Sequence, residues 1–206
     1  MFSEKTSIFI SVILLSALFS YSNIKIFPMY IGIFSLIVLV NILSKKAAAY
    51  FLEVDAESSI WGWQQYWFAE RHKFPKPVPI GILLPIFVLV YSYGLVKWLG
   101  ILETNFKEKI TKTARKRKAW SYPSLRDFDV ALICFAGLAA EIVLAFIFIS
   151  VNPEISKLTM FYAFFNLIPF GRLDGLKLAM SNILLYITAV IIFLASSVLL
   201  GIVAIL

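Results

Sequence analysis

The chain has 206 residues, 61% of them hydrophobic and 15% charged, with a mean hydropathy of +0.88 and a formal net charge of +7. Such apolar excess excludes an ordinary soluble domain and predicts an integral membrane protein. The one cysteine, Cys134, excludes an intramolecular disulfide and any multi-cysteine metal site.

A helix needs roughly 17–25 apolar residues to cross a bilayer. Ser7 to Tyr21 with its flanks is the first candidate, read as a membrane segment and not as a cleaved signal peptide. Phe27 to Leu43 is the second, closing an N-terminal pair over residues 1–44. Residues 45–78 follow, with Glu53, Asp55, Glu57, Glu70, Arg71, His72, Lys73 and Lys76 among Trp61, Trp63, Tyr66, Trp67 and Phe68. Aromatic rings with one wet end concentrate at membrane interfaces, so this stretch reads as interfacial helix or short strands. Residues 79–99 form a third apolar segment, interrupted by Gly81, Pro85 and Gly94. The loops on both sides of it are basic, which favours a re-entrant path over a full crossing.

Residues 100–127 hold Lys107, Lys109, Lys112, Arg115, Lys116, Arg117, Lys118 and Arg126 against Glu103 and Glu108. A Lys/Arg excess between apolar segments marks the cytoplasmic face, and no nucleic-acid partner is expected. Residues 128–206 complete the chain with Val130 to Val151, Met160 to Leu173 and Ile183 to Leu206. The expectation is an all-α polytopic membrane protein with five to six segments, one of them broken or re-entrant. Its N-terminus is expected in the cytoplasm and its location in the plasma membrane of a prokaryote. No internal repeat is visible, so an inverted-repeat transporter has no support.

The segment from Phe164 to Gly175 places Asn166, Pro169, Asp174 and Gly175 in an apolar run. A carboxylate in the bilayer is a functional hypothesis by default. The spacing Asn-x-x-Pro-x-x-x-x-Asp-Gly resembles the third-ligand motif of the site-2 protease family of intramembrane zinc metalloproteases. The resemblance implies a three-helix core, with Asp174 at the position of a zinc ligand. Asn166 and Pro169 then mark an unwound stretch that receives substrate backbone.

That family also carries His-Glu-x-x-His on an upstream helix, where two His bind zinc and the Glu activates water. This chain has one histidine, His72, between Arg71 and Lys73, and cannot supply the pair. Aligning the family's context with the end of the second apolar segment puts Asn41 and Lys45 at the ligand positions and Ile42 at the general-base position. The family's Ala-Gly-Pro-x-x-Asn helix start is partly kept at Ala136 and Gly137, and departs at Leu138 and Glu141. Glu141 is an acid far inside an apolar run and needs a partner or a proton.

The resemblance therefore implies a catalytically inactive, site-2-protease-like membrane protein with no cofactor. Its expected partners are membrane lipid and the transmembrane segments of other proteins, held in a retained groove. One alternative is an active metalloprotease holding zinc through substituted ligands such as His72, Glu141 and Asp174. Another is a small transporter using Glu141, Asp174 and Lys177. An unpaired buried carboxylate is strongly disfavoured, so the zinc-free reading needs a replacement cation. Lys45 is the expected one, approaching Asp174 with help from Asn41. The plain alternative has Lys45 and Lys46 reaching out to the head groups at a helix end.

Overall fold

A computed structural model describes residues 3–65, 73–108 and 126–203. Among the described residues the fold is mostly helical, with seven helices and two small two-stranded sheets. The all-α expectation is thus corrected by four strands. His72, the Tyr66–Trp67–Phe68 run and most of the basic stretch (109–125) lie outside the described residues.

The elements in order are α1 (Glu4–Ser20), a 3-10 turn (Ile24–Ile26), α2 (Phe27–Phe51), β1 (Val54–Ile60), β2 (Trp63–Gln65) and β3 (Lys73–Val78). Then come α3 (Ile80–Tyr91), β4 (Leu102–Glu108), α4 (Asp127–Phe148), α5 (Pro153–Leu167), α6 (Asp174–Ser181) and α7 (Ile183–Val203). Three stretches are long and apolar enough to cross a membrane: Ile24–Phe51, Asp127–Phe148 and Ile183–Gly201. The other predicted segments are shorter helices: α1 has 17 residues, α3 has 12 and α5 has 15.

The chain divides into two compact units, Met1–Ser35 with Ser58–Glu103, and Leu36–Glu57 with Thr104–Leu206. In the first unit, α1 starts at Ser3, whose hydroxyl accepts from the Thr6 amide at 3.3 Å. Ser16 and Ser20 are buried on α1 and return their hydroxyls to the Val12 and Ser16 carbonyls at 2.7 and 2.8 Å. That back-bonding lets a small polar side chain lie in an apolar seam. Phe19 packs on Phe34 with ring centroids 5.1 Å apart, and Lys97 holds its ammonium 4.2 Å from the Phe19 ring.

Helix α3 rises only about 18 Å, well short of a hydrocarbon core of about 30 Å. It ends in a left-handed pair, Tyr93 at φ 52° and Gly94 at φ 82°, and the chain then runs on without helix to the buried Leu99 and Ile101. Gly81 fixes its start. The Gly81 amide donates to the Trp61 carbonyl at 2.9 Å, and a Cβ there would lie 3.1 Å from the Trp61 nitrogen.

In the second unit α4 packs against α5, α6 and α7. Val130, Cys134, Leu138 and Ile142 recur every four residues along it and join Ala163, Leu167, Leu178 and Phe193 in one core. Helix α5 is capped by Asn152, which accepts from the Glu154 amide at 3.1 Å, and Pro153 opens its first turn. The helix stops at Leu167 because Pro169 has no amide hydrogen and forces Ile168 toward extended backbone (ψ 126°). Gly171 turns the chain at φ 63°, and α6 starts at Asp174. The stretch from Asn166 to Gly175 is therefore not continuous helix, as the proline and glycine content predicts.

The segment expected at residues 45–78 also differs in detail. Helix α2 runs on to Phe51, because Lys45, Lys46 and three alanines continue it without a breaker. Strand β1 pairs with β4 and alternates buried Val54, Ser58 and Ile60 with exposed Asp55 and Glu57, a two-residue period.

Lys107 on β4 reaches Glu57 on β1 at 2.9 Å. Hydrogen bonding to Lys107 holds the Glu57 carboxyl below its usual range, and the same bond raises the Lys107 amine. The pair is thus complete at neutral pH. It is lost as pH falls through the lowered Glu57 value, and again as pH rises through the raised Lys107 value. Glu57→Gln is expected to return Lys107 to the ordinary lysine range, read by NMR titration of labelled lysines. An unmoved Lys107 titration would show that the pair does not form in solution.

Candidate functional site

Helix α2 buries a face at Ile37, Asn41, Lys45 and Ala49, each four residues from the last. Side chains at that spacing lie one above another. Asn41 and Lys45 therefore point the same way, into the second unit. Lys45 is 5% exposed and forms an ion pair with Oδ2 of Asp174, which is itself 5% exposed. The Lys45 ammonium also donates to Thr104 Oγ1 of β4 at 3.4 Å. It does not reach out to solvent, whereas its neighbour Lys46 is exposed.

Gly137 of α4 makes the passage for this lysine. A Cβ at that position would lie 2.5 Å from Lys45 Cε and 3.2 Å from Asn41 Nδ2. Gly175 does the same at the start of α6, where a Cβ would collide with the Leu167 carbonyl and lie 2.7 Å from the Ile168 carbonyl oxygen. Both glycines act through close approach.

Glu141 is fully buried, one helical turn beyond Gly137. Its Oε1 accepts from Asn41 Nδ2 and from Asn166 Nδ2, the latter at 2.8 Å. The two amides tie α2, α4 and α5 to one carboxylate oxygen. One sequence expectation is corrected here: Asn41 donates to Glu141 and not to Asp174. Asn166 donates to the same acid. Glu141 does belong to the cluster, and the amides are its partners.

Glu141 Oε2 and Asp174 Oδ1 are buried without a protein hydrogen-bond partner among the described residues. Asn41, Asn166, Asp174, Gly175 and Cys134 line a cavity of about 10 Å³. A hole of that size holds about one water molecule. Lys177, one turn after Asp174, donates to the Thr104 carbonyl and sits 5.5 Å from the Phe106 ring.

These residues do not fit the zinc ion that the family resemblance implies. A catalytic zinc takes three protein ligands, typically His or carboxylate. Here an amide and an ammonium stand at the two positions to which the resemblance assigns His, and the ammonium lies against Asp174. A cation at that point repels a second cation. Among the described residues no group of three or more His, Cys, Asp or Glu comes together. Ile42, at the general-base position, is a buried hydrocarbon with no means of activating water. Pro169 is exposed and touches none of the cluster by hydrogen bond, while His72 lies outside the described residues. Thr104 was not foreseeable: nothing in a strand sequence 59 residues downstream announces a partner for Lys45.

Breaking a buried ion pair by removing one partner costs about 3–5 kcal/mol, because the other charge stays buried alone. Lys45→Met and Asp174→Asn are each expected to destabilise the fold by about 3 kcal/mol. The double variant should lose clearly less than the sum. Reversible unfolding in detergent measures the cycle, and full additivity would show that the two charges do not interact.

Comparison with known proteins gives no further guide: no protein family, no curated protein and no solved structure matches this chain.

Proposed function

We propose that this chain is a proteolytically inactive, site-2-protease-like integral membrane protein. It receives transmembrane segments of other proteins, or other membrane partners, and does not cut them. The observation that carries this reading is the Lys45–Asp174 ion pair, an ammonium on the carboxylate to which the resemblance assigns zinc. With Asn41 and Ile42 in the remaining motif positions, the site offers neither the His pair nor a water-activating base. The receiving part of the site is kept. The backbone is broken between Leu167 and Asp174, and Pro169 and Phe170 are exposed there. Unwound backbone leaves amides and carbonyls that can meet the backbone of an entering, locally unfolded helix.

The proposal includes an orientation. The N-terminus, residues 45–78 and the basic stretch 100–127 lie on the cytoplasmic side of a prokaryotic plasma membrane. Support comes from the concentration of Lys and Arg and from the shortness of α3, which suits a segment that enters the membrane and returns. Helix α4 then runs outward, α5 inward and α7 outward.

Restoring the missing chemistry tests the reading most directly. The purified protein is expected to hold zinc far below one ion per chain. The variant Asn41→His/Ile42→Glu/Lys45→His should bind about one, and should lose it on adding Asp174→Ala. A fluorescent transmembrane peptide broken by Gly-Pro should bind the unmodified protein in vesicles and remain intact. Stoichiometric zinc in the unmodified protein, removed by Asp174→Ala, would sink the proposal, and so would cleavage of the peptide.

A further inference from the structure

A second cavity, of about 430 Å³, opens beside the cluster in the same unit. Its lining includes Thr104 and Phe106 of β4, Val130 of α4, Arg172 before α6, and Lys177 and Ser181 on α6. We propose that this cavity binds the head group of an anionic phospholipid of the surrounding membrane. The proposal is independent of the reading of the Lys45–Asp174 pair.

Three observations carry it. The first is placement. Val130 lies three residues inside the apolar stretch Asp127–Phe148, and Ser181 lies two residues before the stretch Ile183–Gly201. Two helices long enough to cross a membrane thus begin at this cavity, which sets its mouth at the depth of the head groups. The second is charge. Arg172 and Lys177 both line the cavity, and among the described residues no carboxylate lines it. Asp174, on the same helix, is turned away to Lys45. A guanidinium beside an ammonium suits a phosphate diester, the first as a bidentate donor and the second as a point charge. The third is preorganisation. The Thr104 carbonyl and the Phe106 ring hold the Lys177 ammonium in place, and Gly171 at φ 63° sets the turn that carries Arg172. A side chain already held loses less freedom on binding.

The rest of the lining matches the rest of a lipid. The Ser181 hydroxyl can meet further phosphate or glycerol oxygens. Met180, 80% exposed at the rim, presents an apolar surface where an acyl chain would leave the head group. A free phosphate would use the cations and leave that rim without a role. The leaflet follows from the charge of the stretch 109–125, which lies between β4 and α4 in the sequence and whose Lys and Arg excess marks the cytoplasmic face. Cytoplasmic leaflets carry the anionic lipids, and each basic residue near such a surface contributes on the order of 1 kcal/mol, or about fivefold in affinity.

Native mass spectrometry of the full chain in neutral detergent tests this, with phosphatidylglycerol and phosphatidylcholine of matched acyl chains and with inorganic phosphate. Phosphatidylglycerol should be retained in preference to phosphatidylcholine, and millimolar phosphate should not displace it. Arg172→Gln should weaken retention about fivefold, and Arg172→Gln/Lys177→Gln about 25-fold. Lys116→Gln/Arg117→Gln, which removes equal charge from the basic stretch, should weaken it clearly less than Arg172→Gln/Lys177→Gln does. Arg172 is exposed, so its single variant keeps the test decisive if the double variant does not fold. Equal retention of the two lipids, displacement by phosphate, an unaffected Arg172→Gln protein, or an equal loss in the Lys116/Arg117 variant would each overturn the proposal.

Discussion

A carboxylate buried among helices needs a partner or a proton, and Asp174 is met by Lys45. Much of the second unit is arranged to let that happen. The lysine leaves α2 on the buried face that it shares with Ile37, Asn41 and Ala49. It crosses α4 where Gly137 has no side chain, and it ends between β4 and the first turn of α6. Any larger residue at 137 would fill the path of the lysine stem. The negative end of the pair depends in turn on Pro169, which stops α5, and on Gly175, which lets α6 begin against the carbonyls of that stop. Asp174 in the first turn of α6 also faces the positive end of the helix dipole.

Glu141 is the second buried acid and is handled differently. It receives two amide donors on one oxygen and no ammonium. The amides come from α2 and α5, so the acid acts as a pin through three helices. Removing either asparagine would leave a buried acceptor short of a partner, which costs about 1–3 kcal/mol and more for a charged group. The two acids share Asn41, Lys45 and Asn166 as near neighbours. Neither can be changed without altering the field at the other.

Several parts of this arrangement were legible in the sequence. Four-residue spacing placed Asn41 and Lys45 on one face of α2, and that face is the buried one. Pro169, Gly171 and Gly175 announced a break, and the backbone breaks there. Local stereochemistry decides these features, so local sequence reveals them. The strands were read less well. Val54 to Ile60 alternates by burial, but Ser58 and Ala56 are weak apolar signals, and Trp61 to Phe68 drew the reading toward an interface. The partners of Asn41 and Asn166 were also missed. An amide side chain can donate to many acceptors, and only the packing of α2 and α5 on α4 selects Glu141. Thr104 is the extreme case, since its role is made by the return of β4 to β1 and by no feature of its own neighbourhood.

The ion pair also bears on how such a site changes over time. Where the resemblance implies zinc held by two neutral imidazoles and one carboxylate, this chain has one ammonium on one carboxylate, a balanced pair. Moving from this state toward a metal site one residue at a time meets a penalty at each first step. Exchanging Lys45 for histidine alone leaves Asp174 buried without a full charge partner. Exchanging Asp174 alone strands the lysine. Either step costs about 3–5 kcal/mol, against a total stability of about 5–15 kcal/mol for a typical domain. Changing Asn41 to histidine leaves the repelling ammonium in place and removes a donor from Glu141. The pair therefore opposes a zinc ion at this point by electrostatics as well as by ligand type. On the resemblance, a metal site would need positions 41 and 45 to change together, and a water-activating base would need position 42 as well.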